Sequence, residues 1–144
     1  MVLLLRASCF LCFVFLFFTL AAGICNITGT WKNDLGSILK LSTDEELLIR
    51  GSFQTAVETS RGSAGWKKMS KVIGVQNADE EPTFAFSVRW DGGSVSTWAG
   101  QCFESSDTSV LKTVWLLRSS VSSKEKNWKA TRVGEDVFYL VKKQ

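Results

Sequence analysis

Histidine is absent from this chain of 144 residues, and proline and tyrosine occur once each. Lacking imidazole, the protein has neither the usual general base nor the commonest metal ligand. Acidic residues offer no replacement. Asp79, Glu80 and Glu81 crowd one polar stretch, whereas the paired carboxylates of a glycosidase face each other across a cleft. With no nucleophile–base arrangement in view, the chain reads as a non-enzyme without a metal or other cofactor. Charge is sparse too. Lys and Arg number 17 against 14 Asp and Glu, and the densest basic run, Lys124 to Lys129, is broken by Glu125. Without a basic stripe, nucleic acid is excluded as a partner.

What is present begins with "MVLLLRASCFLCFVFLFFTLAAG", one Arg followed by an apolar run and then small residues. That order marks residues 1–23 as a secretory signal peptide, with cleavage after Gly23. The uninterrupted run from Ala7 to Leu20 falls short of the ~20 residues a membrane span requires, so the mature chain, 24–144, is expected outside the cell and off the membrane. Cys9 and Cys12 leave with the signal, and all six tryptophans stay. Cys25 and Cys102 remain, an even count in an oxidising compartment. A bridge between them closes a loop of roughly 78 residues, for which chain entropy gives about 4–5 kcal/mol. Asn26-Ile27-Thr28 is an N-glycosylation sequon, meaningful only because the chain is secreted.

Clusters of Asn, Asp, Gly and Ser recur along the mature chain, and nothing between them has helical period. Eight strands are expected, over 27–33, 37–43, 46–58, 64–76, 82–90, 94–104, 109–120 and 127–142. Short connections let each strand pair with its neighbour, and closure removes the exposed edges. The expected fold is therefore all-β, an eight-stranded antiparallel up-and-down barrel, with an interior wide enough for side chains or one small ligand.

Period two sorts the side chains. One face collects Trp31, Asn33 and Leu35; Phe53, Thr55 and Val57; Phe84, Phe86, Val88 and Trp90; Ser94, Ser96 and Trp98; and Trp115, Leu117 and Ser119. Tryptophans thus share faces with Asn, Ser and Thr toward strand ends. A dry core has no use for that mixture, since an unpartnered buried polar group costs about 1–3 kcal/mol. Apolar walls with a few convergent polar groups describe a small-molecule pocket. The stretch "KTVWLLRSS" is apolar on both faces: Trp115 and Leu117 point inward, Val114 and Leu116 outward. With Val95 and Val133 beside them, the outward pair makes a patch suited to a subunit interface.

The segments "TGTWKNDLGS" (28–37), "PTFAFSVRW" (82–90), "STWAGQC" (96–102), "VLKTVWLLRSSV" (110–121) and "NWKATRVGED" (127–136) resemble the avidin and streptavidin family, in order and over nearly all of the mature chain. The resemblance implies non-covalent binding of biotin by a homotetramer. It places Asn33 and Ser37 on the ureido oxygen, and Thr55 and Asp136 on the ureido nitrogens. Ser96 would meet the thioether sulfur and Ser94 the valerate carboxylate. The "ETSRG" loop (58–62), including Thr59, would help hold that carboxylate and act as a lid. Trp90, Trp98 and Trp115, with Leu35, Val57 and Leu117, would wall the bicyclic ring. Trp128 would come from a neighbouring subunit.

Two departures matter. Phe53 stands where the family has a tyrosine that donates to the ureido oxygen, which implies weaker binding. The "DGGS" turn (91–94) is one residue shorter than in avidin. A lipocalin-like carrier of a small hydrophobic ligand is the alternative; it calls for a mainly apolar cavity, against the Asn33, Ser37 and Asp136 set.

Overall fold

The computed structural model describes residues 24–58, 60–65, 68–104 and 107–141; the expected signal peptide and Thr59 lie outside them. Eight strands follow in chain order: β1 (Gly29–Asn33), β2 (Ile38–Thr43), β3 (Leu48–Gln54), β4 (Met69–Gln76), β5 (Thr83–Arg89), β6 (Val95–Phe103), β7 (Val110–Arg118) and β8 (Thr131–Leu140). Each is antiparallel to the next, and β8 returns to β1 through Trp31↔Leu140, Lys32↔Tyr139 and Asn33↔Phe138. The barrel is closed, so among the described residues no strand edge is left unpaired.

Alternation drives this closure. Leu39 and Leu41 in β2, Phe84, Phe86 and Val88 in β5, and Leu111 and Thr113 in β7 are buried, while the residues between them face outward. Small residues sit opposite large ones across the ladders. On the rung through Phe86, Trp98 and Trp115, the three rings are flanked by Gly74 on one side and Gly134 on the other. A Cβ on Gly134 would lie 2.4 Å from the Trp115 ring, so the bare backbone there gives the indole its place.

The end of the barrel where β1 begins is plugged. Ile27 is buried and its carbonyl accepts the Nε1–H of the fully buried Trp31 at 2.9 Å. Cys25 is bonded to Cys102 at the end of β6, as the cysteine count implied. The other end, where β1 finishes and β6 starts, is where the polar residues of the inner face gather.

Three expected boundaries need correction. The strand expected over 46–58 stops at Gln54, and the one expected from 64 starts at Met69. Thr55 is the reason: its hydroxyl bonds both the N–H and the carbonyl of Val57, at 3.2 and 2.7 Å, and turns the chain out of the ladder. The strand expected from 127 begins at Thr131, because Lys124–Lys129 form a 3-10 helix. There the Lys126 N–H donates to the Ser123 carbonyl and the Ala130 N–H to that of Asn127, tight i→i+3 bonds that a strand does not make.

Candidate ligand-binding site

A cavity of about 270 Å³ occupies the polar end of the barrel. Asn33, the last residue of β1, anchors its base. The Asn33 Oδ1 accepts the Ser37 backbone N–H at 2.8 Å, and its Nδ2 donates to the Asp136 Oδ1 at 3.0 Å. The other Asp136 oxygen accepts the Trp98 Nε1–H at 3.1 Å, and its backbone carbonyl accepts the Thr113 hydroxyl at 2.9 Å. The carboxylate is therefore fixed between two donors that come from β1 and β6, while it belongs to β8.

The two hydroxyls at the base have opposite polarity. Ser37 Oγ accepts the Ala56 N–H at 3.0 Å, which turns its own proton toward the cavity. Thr55 has already given its proton to the Val57 carbonyl, which leaves a lone pair. A hydroxyl carries one donor and two acceptor sites, so Ser37 is set to donate and Thr55 to accept. The second Asn33 Nδ2 hydrogen adds a donor; Asp136 adds acceptors. The base thus presents two donors and two acceptors, held in place by bonds within the chain.

Aromatic rings form the walls. Phe53 stacks on Trp98 with centroids 4.9 Å apart and meets Trp90 edge-on at 5.8 Å. Phe86 backs Trp98 from the other side at 5.1 Å. Trp90 is pinned by its Nε1–H, which donates to Ser96 Oγ at 2.8 Å. Trp115 and Leu117 complete the β7 side, and Leu35 and Val57, both exposed, form the rim with Ser94.

Residues of the segment after Thr55, among them Glu58, Ser63 and Ala64, border this rim. Glu58 Oε1 accepts the Ala64 N–H at 3.1 Å, and Oε2 lies 3.3 Å from Lys68 Nζ. The Ala64 N–H bond, with further help from the Gly62 N–H and Lys68, holds the Glu58 carboxyl below the usual carboxylate range in spite of its partial desolvation. The segment also docks on the 91–94 turn. The Gly92 N–H donates to the Ser63 carbonyl at 3.0 Å, and a Cβ on Gly92 would stand 2.8 Å from that oxygen.

A family model described as the avidin family matches residues 21–141. The chain belongs to the avidin family. It is 39% identical to avidin of Gallus gallus over 131 residues, which are 87% of this chain and 84% of that protein. It is 40% identical to avidin-related protein 4/5 of the same organism over 124 residues, covering 83% and 81%. Among solved structures, xenavidin superposes with a TM-score of 0.75 at 37% identity, covering 81% of this chain and 98% of that one. A biotin binding protein from chicken gives 0.75 at 37%, covering 83% and 98%.

Of the residues singled out from sequence, the avidin-type barrel gathers Asn33, Leu35, Ser37, Phe53, Thr55, Val57, Trp90, Ser94, Ser96, Trp98, Trp115, Leu117 and Asp136 around one cavity. Trp128 stands apart: it is 82% exposed on the 3-10 helix and does not line the cavity of its own chain. Ser63, Ala64, Arg132 and Glu135 also line it and were not anticipated. Arg132 had a signal, since it lies four residues from Asp136 and so on the same strand face. Ser63 and Ala64 had none, because a loop carries no period. The lipocalin-like alternative finds no support.

Proposed function

We propose that this protein is a secreted, non-catalytic biotin binder. One observation carries the proposal: the polarity at the cavity base. A cyclic urea has one acceptor oxygen flanked by two N–H donors. Asn33 Nδ2 and Ser37 Oγ would donate to that oxygen, and Thr55 Oγ1 and Asp136 would accept the two N–H groups, with Trp98, Trp115, Trp90 and Phe53 around the fused rings. Because the protein's own bonds already orient all four partners, little ordering is left to offset on binding. The Asp136 carboxylate makes one of these bonds charge-assisted and polarises the urea toward its oxyanion form. The match to a solved biotin binding protein from chicken supports the same ligand. Titration of the purified chain with biotin, followed by quenching of tryptophan emission, tests the reading. Saturable quenching at one biotin per chain is expected, and flat emission would refute it.

The proposed assembly is a homotetramer in which Trp128 closes a neighbour's pocket. An indole left 82% exposed is an unusual surface feature. The outward faces of β6, β7 and β8 add Val95, Val114, Leu116 and Val133, all exposed, with Leu116 directly opposite Val133. Removal of residues 1–23 and a glycan on Asn26 belong to the same proposal; Asn26 is exposed, as a modified side chain must be.

A further inference from the structure

Glu58 is an acid at the mouth of a pocket proposed to take a ligand that ends in a carboxylate. Its side chain is only 11% exposed, yet it lines the cavity beside Ser63 and Ala64. The carboxylate accepts the Ala64 N–H at 3.1 Å, so one backbone donor of the loop that lines the cavity already holds an anion. Lys68 offsets the charge from an outward, half-exposed position, where water screens it more than it screens Glu58. A second acid abuts the same loop: a Cβ on Gly65 would lie 2.2 Å from Asp91 Oδ2. Arg61, on the loop itself, is exposed and does not line the cavity. Glu135 is a further acid in the lining, and Arg132 its cation. Arg132 belongs to β8 and pairs with Leu117 of β7, so in strand order it lies across the barrel from the loop between β3 and β4. The rim itself is open, since Leu35 and Val57 are both exposed, and a ligand tail can pass outward between them.

We infer that Glu58 makes the pocket select biotin whose tail ends in an uncharged group, as in an amide linkage to a peptide or protein, over the free acid. The inference rests on the biotin reading above. A free valerate carboxylate would approach a loop whose Glu58 already carries a negative charge, whereas an amide brings no charge and continues into solvent. Calorimetric titration with biotin and with its N-methyl amide, on the whole mature chain, tests it. The amide is expected to bind about tenfold more tightly than the acid, and added salt should narrow that ratio because screening weakens like-charge repulsion. Glu58→Gln, which keeps an acceptor for Ala64 N–H, should bring the ratio toward one. Lys68→Met, which leaves Glu58 uncompensated, should widen it. Equal binding of acid and amide by the natural chain, or a ratio that moves with Arg132→Gln and not with Glu58→Gln, would overturn the inference and leave the biotin reading standing. Binding of neither ligand would overturn both.

Discussion

At the scale of single residues, Phe53 sets the expected strength of binding. Its ring is fully used as packing, stacked on Trp98 and edge-on to Trp90 and Phe138, but it brings no hydroxyl to the urea oxygen. In the proposed complex, Asn33 and Ser37 remain as donors to that oxygen. A hydrogen bond to a strongly polarised acceptor is worth about 1.5–3 kcal/mol, or about one to two decades of affinity. Phe53→Tyr is therefore expected to slow biotin dissociation by about 10–100-fold, measured by chase with unlabelled ligand; unchanged or faster release would count against the donor account. Gly134 gives a second prediction at this scale. Gly134→Ala must displace the Trp115 ring, which otherwise sits 2.4 Å from the new Cβ, and biotin affinity is expected to fall by at least about tenfold while the barrel survives, on an overpacking cost of about 1–3 kcal/mol. Near-natural affinity in that variant would show that Trp115 is not held where it appears.

At the scale of elements, much of the barrel was legible and its loops were not. Period two placed Trp31, Phe86 and Trp98 inside because each strand of a closed barrel has one dry face, and the same rule put Asn33 and Ser96 on that face toward the strand ends; Asp136 came from the family resemblance alone. The rule failed at Thr55. Residues 55–58 continue the alternation in sequence, yet the Thr55 hydroxyl replaces a ladder bond with a local turn. It failed again at Lys124–Lys129, where polar residues carry no period that separates a strand from a 3-10 helix. The Glu58 contacts were equally hidden, since they join residues six and ten positions away within an irregular segment. That segment has a pH signature. Because the folded-state pKa of Glu58 is lowered, its stabilisation of the loop is present above the ordinary carboxylate value of about 4.3 and is lost as pH falls below that through the lowered value. The hydrogen-exchange protection factor of the Ala64 amide, whose N–H donates to Glu58, is expected to hold from neutral pH to about that value and to collapse only in more acid solution. Collapse already at pH 6, far above any carboxylate transition, would contradict the assignment.

At the scale of the whole molecule, pocket and assembly are expected to be coupled through Trp128. The barrel closes itself, but its β6–β8 exterior exposes Val95, Val114, Leu116 and Val133, and its 3-10 helix presents an unburied indole. If the indole caps a neighbour's pocket, binding the ligand stabilises the assembly by mass action. Trp128→Ala is expected to speed biotin release, measured by chase with unlabelled ligand, and to lower the assembly's resistance to dissociation, measured by sedimentation with and without ligand. A variant that keeps a stable tetramer and natural release kinetics would place Trp128 outside the site.

The central claim is that this barrel is a preorganised receptor for a cyclic urea, and a calorimetric melt of the mature protein with and without biotin tests it most directly. A ligand that binds only the folded state at a thousandfold excess over its dissociation constant adds about 4 kcal/mol, which for a domain of this size raises the melting temperature by at least about 10 °C. Such a rise is expected. A melting temperature that does not move at saturating biotin would contradict it.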